Sequence, residues 1–317
     1  MVVRFLFVVM LFAFQAASAQ SINKIINRKE VKRIESVLSA DDMQGRGLNT
    51  PGIDKAAAFI AEEFKKAGLR SADNNSYFQE FGPTNQSNQV HLKNVIGILP
   101  GKSKAQEIVV FSAHYDHLGI GKPTAEGDSI YNGANDDAAG TTAVIMLAKY
   151  FAKLNNNECT LVFVAFTAEE SGGFGSQYFS KQYDPATVMA MFNIEMIGTD
   201  SKWGKNSAFI TGYEKSDMGK ILEKNLAGSN FKFYPDPYPQ QQLFYRSDNA
   251  TLARLGVPAH TISTSKMDSE KFYHTADDEI GTLDMKNMTR IIKAIAISSK
   301  TIVSGIDTPS RVDATQL

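Results

Sequence analysis

Residues 107–117 read EIVVFSAHYDH. The run begins as a strand and ends in two histidines and an aspartate. Burying Ile, Val, Val and Phe gives no packing reason to finish in such side chains. Two later apolar runs end in a similar way. CTLVFVAFTAEE (159–170) closes on Glu169 and Glu170, and TVMAMFNIEMIG (187–198) carries Glu195 near its end. Short apolar runs rich in β-branched and aromatic residues read as strands buried on both faces. Between the first two lies AAGTTAVIMLAKYFAKL (138–154), a helix candidate. Strand alternating with helix predicts an α/β fold whose sheet is covered by helices on both faces. In such sheets ligands gather at the carboxyl ends of strands, where His114, Glu169, Glu170 and Glu195 fall.

The pattern extends both ways from this centre. Residues 21–40 place Ile22, Ile25, Ile26, Val31, Ile34, Val37 and Leu38 at helical spacing. GIDKAAAFIAEEFKKAGL (52–69) is a second helix, with Pro51 before it and Gly68 at its end. Residues 71–89 are polar and turn-rich, and predict a loop with a short strand. NVIGILP (94–100) and EIVVFSAH (107–114), joined by GKSKAQ, predict a hairpin. Downstream, NSAFITGY reads as strand, KSDMGKILEKNLAG as helix, VPAHTIST as strand and LDMKNMTRIIKAIAISSKTIV as a long helix. Residues 306–317 lack a core pattern and predict a loose tail.

The 317 residues are 43% hydrophobic, enough for one large α/β domain or two small ones. The 33 basic and 34 acidic residues nearly balance, which argues against a nucleic-acid partner. The single cysteine, Cys159, excludes an internal disulfide, and its place at the start of an apolar strand predicts burial. Arg4, the apolar run 5–14 and Ala17-Ser18-Ala19 form a Sec-type secretory signal with cleavage before Gln20. Its apolar core is well short of the ~20 residues of a spanning helix. The expectation is a periplasmic or secreted protein with no stable membrane insertion after cleavage. The expected organisation is a signal peptide at 1–19, a helical extension at 20–50, the main domain at 51–305 and the tail at 306–317.

The candidate ligands are His114 and Asp116 in SAHYDH, Asp136 and Asp137 in NGANDDAAG, Glu169 and Glu170 in TAEESGG, Glu195 in FNIEMIG and His274 in KFYHTADD. A mixed set of imidazoles and carboxylates suits zinc, with manganese or cobalt as chemical relatives. Glu195 interrupts an apolar strand, where an unpaired buried carboxylate is costly. Asp116 lies two residues from His114, on the same strand face, and metal-bound histidines usually donate their other N–H to a carboxylate. Tyr245 is a candidate donor to an oxyanion. His91 and His260 read as structural.

The ordered series HYDH, GANDDAAG, AEES, NIEMIG, SDNATLARLGVPA and FYHTADD resembles the M28 family of zinc aminopeptidases over about residues 90–305. The LSADDMQGRG stretch before it is also typical. The resemblance implies an α/β fold with a mixed, largely parallel central sheet flanked by helices on both faces, two zinc ions at the carboxyl edge of that sheet, and peptide substrates with a free N-terminus. It implies that His114 and Glu195 hold the first ion, that Glu170 and His274 hold the second, and that Asp136 bridges both through a cis Asp136–Asp137 peptide. Glu169 becomes the general base acting on a metal-bound water, Asp116 orients His114, and His117 lies nearby without a ligand role. The family usually has Asp where this chain has Glu195, which puts occupancy of the first metal position in question. Asn249 stands where a histidine or aromatic residue is common. A mono-zinc glutaminyl cyclase and a non-catalytic binding protein on the same scaffold remain the alternatives.

Overall fold

The computed structural model describes residues 22–73, 75–82 and 91–317. The expected secretory signal at 1–19 and residues 83–90 of the polar loop lie outside them. Among the described residues, no helix is long and apolar enough to cross a membrane.

The sheet is built from nine strands, β1 (Arg70–Ser71), β2 (Phe78–Phe81), β3 (Leu92–Leu99), β4 (Lys104–His114), β7 (Cys159–Phe166), β8 (Val188–Ile194), β9 (Ser207–Ile210), β10 (Lys232–Pro235) and β11 (Ala259–Ser263). Their order is β1-β3-β7-β4-β8-β11-β9-β10, with β2 also paired to β3. The central four, β7, β4, β8 and β11, run parallel. β3 and β9 close this block antiparallel on either side. A separate short hairpin joins β5 (Gly119–Ile120) to β6 (Ile130–Tyr131).

Alternation along the strands makes two cores. Phe111, Phe163 and Phe192, from β4, β7 and β8, face one side. They stack across the sheet with ring centroids 5.4 and 4.9 Å apart. On that side pack α1 (Arg28–Leu38), α2 (Pro51–Ala67), α3 (Ala139–Leu154), α5 (Met218–Asn225) and α7 (Met285–Ser298). The other side gathers Val110, Val162, Val164 and Phe166 against α4 (Phe174–Ser180) and α6 (Asn249–Ala253). α2 has the boundaries its punctuation announces. Thr50 caps its first turn, Pro51 opens it and Gly68 ends it at φ 82°.

Two expectations need correction. β3 and β4 are not a hairpin, because β7 lies between them and pairs with both. β7 is apolar on both faces and takes a central place, with its two edges both paired. The tail is not loose. Arg311 donates to the carbonyls of Val188 and Pro185 at 2.7 Å, Ser310 N–H to Asp217 at 2.7 Å, and Val312 is buried.

Candidate metal centre

Because the four central strands are parallel, their carboxyl ends share one edge. β4 ends on His114, and β8 ends one residue before Glu195. After β7 the chain turns through Ala168, at φ 58°, and presents Glu169 and Glu170. The loop after β11 brings in His274. Asp136 sits on the short segment Ala134–Ala138, and the Asp136–Asp137 peptide is cis.

That segment is fixed from several directions. Asp278 accepts the N–H groups of Asn135 at 2.8 Å and Asp136 at 3.0 Å. Asp137 turns inward to accept N–H groups of Gly140 and Met196. Arg46, fully buried, donates to the carbonyls of Leu38, Tyr115, Asn132 and Gly133 at 2.6–2.8 Å, and to that of Asp136 at 3.4 Å. A guanidinium can serve several carbonyls because its donors fan out in one plane.

Asp136 therefore faces the cleft with its two oxygens divided. His114 Nε2 lies 3.2 Å from Oδ1, and His274 Nε2 lies 3.3 Å from Oδ2. His274 Nε2 is also 3.2 Å from Glu170 Oε2. Neither nitrogen has a hydrogen-bond partner. Nitrogens this near to carboxylate oxygens, yet not aligned for hydrogen bonds, aim with them at common points. Donors ~2.0–2.2 Å from one tetrahedral zinc stand about 3.3 Å from each other.

Charge leads to the same conclusion. Asp116, Asp136, Asp137, Glu169, Glu170, Glu195 and Asp248 crowd a centre whose imidazoles are His114, His117 and His274. Burial, with Glu195, Asp248 and Asp116 nearby, pushes the Glu169 carboxyl up to about 10, against the opposing pull of His114. Burial likewise lifts Asp248 to about 7 and Asp116 to about 6. Partial burial acts on Glu170 in the same direction, yet His117 and His274 hold it at about 2. Asp136 and Glu170 raise His274 to about 10. Divalent cations relieve an excess of buried carboxylate, and carboxylate with imidazole is a zinc donor set, so the residues fit the metal.

These shifts give a pH dependence. In the metal-free native state Asp116 and Asp248 keep protons that the unfolded chain releases near 4. Protonated His274 is likewise stabilised only in the folded state. Each term makes metal-free stability fall as pH rises through about 4 to 7 and beyond. Chelation is therefore expected to lower Tm more at pH 7 than at pH 5. Equal shifts in thermal unfolding at the two values would contradict this.

The remaining candidates are placed as follows. His114 Nδ1 bonds the Asp116 backbone carbonyl at 3.1 Å, while the Asp116 carboxylate is 3.9 Å away and accepts the Glu169 N–H. Asp116 thus orients His114 by its carbonyl rather than by its side chain. Glu195 takes a hydrogen bond from Ser247, which accepts from Asn193, which accepts from Ser112. Among the described residues Glu195 has no ion pair with a histidine within 4.0 Å. Asn249 bonds Thr261 and two backbone carbonyls, a structural role. His260 is buried between Ser216 and the Thr211 carbonyl.

The cleft has Asp136, Glu169, Glu170 and Glu195 in its wall. Met196, Phe209, Leu243 and Met267 supply apolar surface. Tyr245 lines a neighbouring cavity that shares Glu169, not this cleft. The tyrosine in the cleft is Tyr273, stacked on His274 at 3.8 Å. Sequence reasoning missed it, although its place beside His274 in FYHT was a usable signal. It also missed Arg46, Ser247 and Asp278, all inside quoted motifs.

The chain is similar to known proteins in sequence and in fold. The chain is 25% identical over 282 residues to a probable leucine aminopeptidase of Trichophyton verrucosum, covering 86% of this chain and 73% of that protein. It is 27% identical over 255 residues to leucine aminopeptidase 1 of Ajellomyces dermatitidis, covering 75% of this chain and 62% of that protein. It thus spans between three fifths and three quarters of the length of these relatives. The structure of a zinc aminopeptidase from Bacillus subtilis superposes with a TM-score of 0.69 at 15% identity, covering 90% of this chain and 98% of that one. A glutaminyl cyclase of Porphyromonas gingivalis gives 0.69 at 14%, covering 88% and 99%. At such identities the likeness shows the shared fold alone. The model of peptidase family M28 matches residues 94–298, which hold every ligand candidate, and the chain belongs to that family.

Proposed function

We propose that this chain is a two-zinc aminopeptidase, exported by its N-terminal signal to the periplasm or beyond, that removes N-terminal residues from peptides. The observation that carries the reading is the divided Asp136, with one oxygen toward His114 and the other toward His274 and Glu170. His114, Asp136 and Glu195 would hold the first ion, and Asp136, Glu170 and His274 the second. When bound, the ions supply Lewis-acid polarisation of the scissile carbonyl and make water acidic enough to ionise near neutral pH.

The protein's own groups do the rest. Glu169 takes the proton of the attacking water and later gives one to the leaving amine. Its high proton affinity in the metal-free site suits a group that must hold a proton, and nearby cations lower it toward the working range. The Asp116 carboxylate fixes the Glu169 backbone at 3.1 Å. The carboxylates attract a substrate's free ammonium, and the apolar wall receives the first side chain.

A one-zinc glutaminyl cyclase is the second reading, favoured by Glu195, which bonds Ser247 and, among the described residues, pairs with no histidine. One experiment separates the two. Zinc per purified chain is measured alongside leucyl anilide hydrolysis and glutaminyl peptide cyclisation. Two ions with anilide turnover are expected, and acetylating the substrate amine should abolish cleavage. One ion with cyclisation would replace this reading.

A further inference from the structure

His117 is buried, and its ring lies against Gly133, where a Cβ would come within 2.5 Å of Cδ2. Only glycine at 133 leaves room for the ring. Nδ1 is 2.9 Å from Glu170 Oε1, in hydrogen-bond geometry, and 3.8 Å from Asp136 Oδ2. These three side chains can place donor atoms within 4.8 Å of one another, close enough to be read as a metal set. The distribution of oxygens argues otherwise. His274 approaches Glu170 at Oε2, and His117 approaches it at Oε1. Glu170 therefore has one oxygen for the ion and one for a hydrogen bond.

The tautomer follows from the surroundings. His117 Nε2 is buried with no partner. A buried N–H left without an acceptor is the rarer and costlier orphan. The proton accordingly sits on Nδ1, which donates it to Glu170 and has no lone pair for a metal. We propose that His117 is the positioning residue of the second metal position. By holding Glu170 Oε1 it leaves Oε2 for the ion and sets how tightly that ion binds. Partners of this kind typically change metal affinity 10–100-fold.

This rests on the proposed zinc centre, and the test separates the two. Zinc-binding isotherms of the full chain are recorded in competition with a chelator. The step that His274→Ala removes marks the second position. His117→Asn keeps a donor near Nδ1, whereas His117→Gln keeps the bulk and places its amide near Nε2. His117→Asn is expected to bind within about threefold of wild type at that step, and His117→Gln about 10–100-fold more weakly. Equal loss in both variants would make His117 a ligand and overturn the proposal, and so would no loss in either. A wild-type chain that binds one ion, lost in His274→Ala, would defeat the two-ion count and leave the role of His117 standing. A chain that binds none overturns both.

Discussion

Glu169→Gln should lower kcat on leucyl anilide by about 10²–10⁴ while zinc content stays unchanged. The substitution keeps shape and volume and removes only the ability to take a proton. The Glu169 N–H bond to Asp116 is a backbone bond, so the loop keeps its course. Glu169 does not share the ion pairs that join Asp136 and Glu170 to the histidines. Loss of zinc from this variant would make Glu169 a ligand instead. A kcat within tenfold of wild type would remove it from the proton path.

Asp136→Asn should have the opposite signature, with metal lost first and activity lost as a consequence. Asn is nearly the same size but carries no charge and presents one oxygen where Asp136 presents two. Both proposed ions depend on those oxygens. Residues that only orient ligands change affinity 10–100-fold, so the shared ligand should cost more than about a hundredfold at both positions. Metal analysis after exhaustive dialysis should find less than one zinc per chain. Retention of two would show that Asp136 does not bridge.

β4, β7 and β8 were legible because each is a short apolar run bounded by polar residues. Their neighbours were not. Period and turn chemistry say that 94–100 and 107–114 are strands, but not that Cys159–Phe166 comes between them. β10, with the sequence KFYP, is too short to show a period, and only pairing with β9 makes it a strand. The ligands were legible because ligand-type side chains at the ends of buried strands lack a packing reason. Arg46 and Asp278 gave no such signal. They act by bonding backbone groups up to 90 and 143 residues away in sequence, and that pattern exists only in the folded chain. Ser247 escaped because a serine in a polar loop is ordinary until Glu195 is seen beside it.

The position of β4 bears on how the chain reaches this state. β4 pairs on one edge with Cys159–Phe166 and on the other with Val188–Ile194. Both partners leave the ribosome after it does. Until residue 194 has emerged, the strand that carries His114 has at least one open edge, and before residue 159 it has two. Open edges of apolar strands invite pairing with other chains. The nascent protein thus passes through an interval of about eighty residues in which the strand that carries His114 can pair with other chains before its own partners exist.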